Sequence, residues 1–190
     1  KEEEYWLKWL LDKPCTVGFV DGNHCNFDMI DRFPIIEKWG GKVNLCKSNN
    51  DKTKHIYRFR RGEVYTIGNK KILTFGGALS IDKVLRKEFI SWWSQEAHTF
   101  SEINNALVNL DKVNNEVDFI LTHTCPNSVF DNMDIGIRTI EDPAMGTFDT
   151  LLNYIKTFKE WHFGHFHKDF GMYPLVYDNF FSHYNSYFTD

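Results

Sequence analysis

Three short β-prone runs in this chain each stop at an asparagine or a histidine. Cys15–Val20 leads into Asp21-Gly22-Asn23-His24, Val117–Thr122 into His123, and a run beginning at Trp161 into Gly164-His165-Phe166-His167. Stretches with helical periodicity separate the three. Strand-like runs alternating with helix-like ones predict the α/β class, with a mixed sheet or two packed sheets flanked by helices. The loops at strand ends are where such a fold assembles a site. A chain of 190 residues fits one domain, taken as 1–190.

The local signals fill in this frame. Trp6, Leu7, Leu10 and Leu11 share one face of a helix over Glu2–Leu11, which Pro14 ends. Cys15–Val20 is expected to be a buried strand. His55–Phe75 reads as two or three strands, turned at Arg60-Arg61-Gly62 and at Gly68-Asn69. Arg58, Arg60 and Arg61 are read as a solvated hairpin face rather than phosphate ligands. Ile81–Trp93 is expected to be helical. Thr99 with Glu102 forms a capping box for a helix to about Val113, with Ile103, Leu107 and Leu110 on its inner face. Thr147 or Asp149 opens another helix through Leu151, Leu152, Ile155 and Phe158. A last β region continues past Gly171 and includes Leu175–Tyr177; the tail from Phe180 to Phe188 receives no assignment.

Composition narrows the function classes. A net charge of −4, with no basic stripe, disfavours a nucleic-acid surface, and the 16% aromatic content is read as core and surface rings rather than a base-stacking platform. No apolar run is long enough to span a membrane, and the acidic, amphipathic start is unlike a signal peptide. The cysteines, Cys15, Cys25, Cys46 and Cys125, lack a C-x-x-C pair. They read as reduced thiols in a cytoplasmic protein, and their spacing disfavours a structural zinc site.

In an extended segment, residues two apart project to one side, so His165 and His167 are expected to face one cluster. Gly164, and Gly22 ahead of Asn23, are expected to let the backbone pass close to it. Imidazole nitrogens with an amide oxygen form a donor set suited to divalent metals. His162 has the opposite parity and is expected to face elsewhere; His55, His98 and His183 are likewise read as structural.

Gly22-Asn23-His24-Cys25, then His123, then Gly164-His165-Phe166-His167 resembles the last three motif blocks of the calcineurin-like metallophosphoesterases, over about Val17 to Lys168. In its surroundings the chain is most similar to the small bacterial or phage-type members. The resemblance implies a sandwich of two mixed sheets and metal-dependent hydrolysis of phosphate mono- or diesters at a two-ion site. It implies that Asn23, His123 and His165 hold one ion and His167 the other. It implies that His24 sits beside the scissile ester as a proton donor, a role suited to an imidazole near its ordinary pKa of about 6.5, or stabilises the developing charge. Mn²⁺ is the first choice of ion, then Fe, Zn or Ni. The substrate expected is a phosphorylated small molecule or a nucleotide.

The chain departs from that pattern. Neither Asp-any-His nor Gly-Asp-any-any-Asp, the family's first two blocks, occurs in it, and Cys25 replaces the usual acidic residue. The expectation is an N-terminally truncated domain that holds at most one ion, weakly, with impaired activity. Exposed sheet edges are expected to invite a second copy of the chain. Cys25 is read as a small loop residue in preference to a soft ligand or reactive thiol. The alternative function is a binding or scaffold module that keeps the fold without the catalysis.

Overall fold

Turn chemistry decides how the chain divides between two sheets. A computed structural model describes residues 2–50, 52–133, 142–167 and 179–184. In chain order the elements are α1 (Glu2–Leu11), β1 (Val17–Phe19), α2 (Phe27–Ile30), β2 (Ile35–Lys38), β3 (Gly41–Ser48), β4 (His55–Phe59), β5 (Glu63–Ile67) and β6 (Lys70–Phe75). They continue with α3 (Phe100–Asp111), β7 (Phe119–Thr122), α4 (Asn127–Phe130), α5 (Pro143–Tyr154), β8 (Glu160–Phe163) and β9 (Phe180–Ser182). The chain is thus α/β with two mixed sheets. One has the order β1-β4-β3-β2, with β1 parallel to β4 and the other pairs antiparallel. The other is β5-β6-β7-β8-β9, an antiparallel hairpin extended by three parallel pairings.

Of the two or three strands expected over His55–Phe75, three form, but the turn at Arg60–Gly62 passes the chain from one sheet to the other. Gly68 and Asn69, both left-handed, close the β5–β6 hairpin. The β2–β3 hairpin carries no such signal: its turn is Trp39-Gly40, with Trp39 at φ 54°. The Trp39 ring lies 5.3 Å from that of Tyr57, edge to face, so packing holds a conformation that propensity disfavours.

Three apolar clusters result, the smallest of them Phe27, Ile30 and Trp93. Val43, Tyr57, Phe59 and Tyr65 form a cluster from β3, β4 and β5. A larger core joins the second sheet to α3 and α5 through Leu73, Phe75, Leu110, Ile120, Phe148, Leu151 and Trp161. The capping box opens α3 as expected: Glu102 N–H donates to Thr99 Oγ1, and Thr99 N–H to the Glu102 carboxylate.

Several expectations fail for identifiable reasons. Ile81–Trp93 is not a helix: only Lys83–Leu85 makes a 3₁₀ turn, and Phe89 is left-handed. Val84 and Leu85 are 84% and 87% exposed and Trp93 alone of the large apolar side chains here is buried, so little burial stabilises a helix. The helix placed at Thr147 or Asp149 starts at Pro143, because Asp142 caps it by accepting the Ala144 N–H (2.9 Å) and proline suits its first turn. Asp149 instead accepts from Ser128 and Asn127, and Ile155 and Phe158 lie beyond the helix end. The expected buried strand, β1, is an edge strand with Gly18 exposed. In the tail, Phe180–Ser182 is strand β9; the Leu175–Tyr177 strand expectation lies outside the described residues. Among the described residues no helix is long and apolar enough to cross a membrane.

Candidate functional site

Because β6, β7, β8 and β9 run parallel, their carboxyl ends lie along one margin of the second sheet. His123 leaves β7 there, His165 follows β8, and the two loops are tied by a hydrogen bond from Gly164 N–H to His123 O (3.0 Å). The β1 loop meets this margin where Gly77 N–H donates to Asp21 O (2.8 Å). All five residues selected from the sequence, Asn23, His24, His123, His165 and His167, line one cavity of about 790 Å³ at this junction.

Their geometry is close-set. His123 Nε2 is 2.9 Å from Asn23 Oδ1, and the His123 and His165 rings are 5.1 Å apart, edge to face. His167 stacks on Tyr184, with ring centroids 5.1 Å apart. His165 and His167 do not sit in an extended segment. Their φ angles are 71° and 53°, left-handed values that L side chains rarely adopt, so they reach the cavity by a turn and not by strand parity. Gly164 is not needed for close approach, since a Cβ there would meet only His183 O at 3.4 Å and His123 O at 3.9 Å. Gly22 is needed: a Cβ would lie 2.7 Å from His123 Cε1.

Burial sets the charge states. Desolvation pushes the His123 imidazole down to about 3, with His165 adding to the effect, and also lowers His165. Both rings are therefore neutral near pH 7, as ligands must be. His24 is exposed at the mouth, and its pKa is also lowered, by partial burial, Arg86 and His167. It thus holds its proton less readily at neutral pH than an ordinary imidazole.

Beneath the cavity lies a feature the sequence reading reversed. Arg58 and Arg61 are 6% and 5% exposed, not solvated, and both clasp the fully buried Asp21. Arg58 Nε donates to Asp21 Oδ1 (2.9 Å); Arg61 donates to Oδ2 through Nε (2.9 Å) and a terminal nitrogen (2.6 Å). Burial alone raises the Asp21 carboxyl; Arg61 and Arg58 outweigh it and hold the carboxyl below its usual value. Arg60 remains partly exposed and reaches Asn44 Oδ1 at 3.3 Å.

The cavity also includes residues that the sequence did not single out: Asp82 and Arg86, which pair at 2.7 Å, Asp142, His183 and Tyr184. His183 lay among the histidines read as structural; its ring meets His162 at 2.9 Å and it lines the cavity as well. His162 also bonds Glu160, while His98 bonds Gly76 O (2.8 Å) and His55 bonds Ser48. Cys25 Sγ accepts the Gly22 N–H at 3.2 Å and burial raises its thiol pKa, so it serves as a loop residue and not as a thiolate. All four cysteines are free thiols.

As a metal centre the donor set is partial. Asn23 Oδ1 and the neutral imidazoles of His123 and His165 are donors of the types that divalent ions take, and Asn23 Oδ1 and His123 Nε2 lie 2.9 Å apart. Among the described residues, no three His, Cys, Asp or Glu side chains gather as a metal-holding group. Of the cavity carboxylates, Asp142 accepts the backbone N–H groups of Ala144 and Leu79, and Asp82 pairs with Arg86. No protein-family model matches the chain, and neither a curated protein nor a solved structure does.

Proposed function

We propose that this cavity hydrolyses phosphate esters with one divalent cation held by Asn23, His123 and His165, on a metallophosphoesterase-like sandwich. The observation that carries the reading is the 2.9 Å between Asn23 Oδ1 and His123 Nε2, beside the His165 ring. Two ligands each about 2.1 Å from an ion and at right angles stand roughly 3 Å apart, so the pair is spaced as adjacent ligands. The same spacing suits a direct hydrogen bond, and that is the observation favouring the second reading, a binding module working without catalysis.

A bound divalent ion supplies Lewis acidity and an activated water. The chain supplies the rest. His24, at the mouth, donates a proton to the leaving oxygen, and its lowered pKa moves that capacity to the acid side of its ordinary range. Arg86 at the rim attracts the ester's charge. His167 is the candidate ligand for a second ion, but the cavity carboxylates are engaged elsewhere, Asp82 by Arg86 and Asp142 by the Leu79 and Ala144 N–H groups. Activity is therefore low, because the clamp of two ions on attacking and leaving oxygens is missing. The cavity volume suits a phosphorylated small molecule or a nucleotide. Free thiols fit a reducing compartment, and we place the protein in the cytoplasm.

Calorimetric titration with Mn²⁺, followed by assay on p-nitrophenyl phosphate and its bis-ester, tests the reading. One bound ion and a slow hydrolysis that His24→Ala abolishes are expected. Saturating Mn²⁺ without uptake would sink the metal-dependent reading and leave the binding module.

A further inference from the structure

We infer that Glu96, acting through Ser80, sets the orientation of the Asn23 amide and with it the atoms that Asn23 and His24 turn to the cavity. Glu96 is fully buried, at the end of a 3₁₀ turn over Ser94–Glu96 that no motif in the sequence marks. The Trp92 indole and the Ser80 backbone amide can only donate, and both meet Glu96 Oε1, at 2.6 and 2.7 Å. The Ser80 hydroxyl lies 2.6 Å from Glu96 Oε2 and 3.4 Å from Asn23 O. Its single proton goes to the nearer oxygen, at a length normal for a hydroxyl donating to a carboxylate.

The direction of every later bond follows. With its proton committed to Glu96, Ser80 Oγ has only lone pairs left for Asn23, so the Asn23 NH₂ must face it, at 3.2 Å. The other Nδ2 proton lies toward His24 Nε2, 3.4 Å away, which must then accept. Oδ1 is left facing His123. The reversed amide would set its oxygen against the lone pairs of Ser80 Oγ and turn an NH₂ toward the ligand position. Glu96 and Ser80 are thus positioning residues: neither lines the cavity, and the sense of the bonds passes from one buried carboxylate to three cavity residues.

The orientation stands on hydrogen-bond geometry alone; its effect on cation affinity rests on the proposed function. The test is therefore a metal-free double-mutant cycle, with Mn²⁺ affinity read separately. In Asn23→Asp the introduced carboxylate faces the Ser80 lone pair with no proton between them, and the urea midpoint falls. Adding Glu96→Gln reverses the relay: the glutamine NH₂ donates to Ser80 Oγ, whose proton becomes available to the introduced carboxylate. The double variant is expected to be more stable than Asn23→Asp alone. Losses that simply add would overturn the inference. Should either variant fail to fold, the side-chain NH₂ resonances of Asn23 in the unaltered protein decide. One proton bonded to Ser80 and protected from exchange supports the inference, and two equivalent, fast-exchanging protons overturn it. Glu96→Gln alone is expected to weaken Mn²⁺ binding by about tenfold to a hundredfold. If the unaltered protein takes up no Mn²⁺, the proposed function fails while the cycle still answers for the relay.

Discussion

Asp21 and Asn23 stand two residues apart, yet they belong to opposite kinds of environment. Asp21 turns inward, fully buried, each oxygen accepting from a buried guanidinium. Asn23 turns toward the cavity, where His123, His165 and His167 bring nitrogen donors and where two left-handed histidines hold unfavourable backbone. The first environment is satisfied and structural; the second gathers donor atoms around a cavity at a conformational cost, as the proposed function requires. Strain tolerated beside an over-determined buried network is the arrangement expected of a site, since the scaffold carries the stability that the site gives up.

The contrast breaks most sharply if Asp21 proves dispensable. Asp21→Ala leaves two buried guanidinium groups without their shared partner and is expected to cost about 3–5 kcal/mol of unfolding free energy. His165→Ala is expected to cost under about 1 kcal/mol. Urea denaturation of both variants measures the difference, and equal losses would erase the distinction between the two environments. On the ligand side the order reverses: His123→Ala, at whatever cost in stability, is expected to weaken Mn²⁺ binding at least about 100-fold by calorimetry.

Gly22→Ala probes the seam between the two, because the new methyl would meet the His123 ring at 2.7 Å. A loss of about 1–3 kcal/mol is expected, with the His123 ring displaced and its side-chain NMR shifts changed. An unshifted ring would mean that the β1 loop yields instead.

Acid sharpens the comparison further. Burial first, and Arg61 second, push His98 down to about 4 in the folded protein, against about 6.5 when unfolded. The unfolded state then binds more protons between these values. The His98 contribution is complete above pH 6.5 and is lost as pH falls toward 4, by about 2 kcal/mol at pH 5. Stability at pH 7 and pH 5 should diverge less in His98→Gln than in the unaltered chain. The smallest effect is expected at the exposed loop, where Leu85→Ser should alter stability by no more than about 0.5 kcal/mol.

Much of this was legible where the physics is local. The Thr99–Glu102 capping box, the Gly68-Asn69 turn and the apolar runs of β6 and β7 each state their structure within a few residues. Local reasoning failed where distant partners decide. Trp39 turns a hairpin because Tyr57 and Phe59 receive its ring. Residues 81–93 are expected from the sequence to be helical, but of their large apolar side chains Ile81, Val84, Leu85, Phe89 and Ile90 are exposed and Trp93 is the buried one. Arg58 and Arg61 looked like an exposed face because the carboxylate they serve lies 37 and 40 residues away.

The candidate site divides in the same way. Asparagine and histidine at the ends of β-prone runs could be read from the chain alone, because donor chemistry belongs to the residue and a strand end is a local event. Which atoms of those residues meet, that His165 and His167 arrive by left-handed turns, and that Glu96 and Ser80 stand behind Asn23 were decided only by tertiary structure. Hydrogen-bond direction and burial are properties of neighbours in space, and here those neighbours come from five separate stretches of the chain.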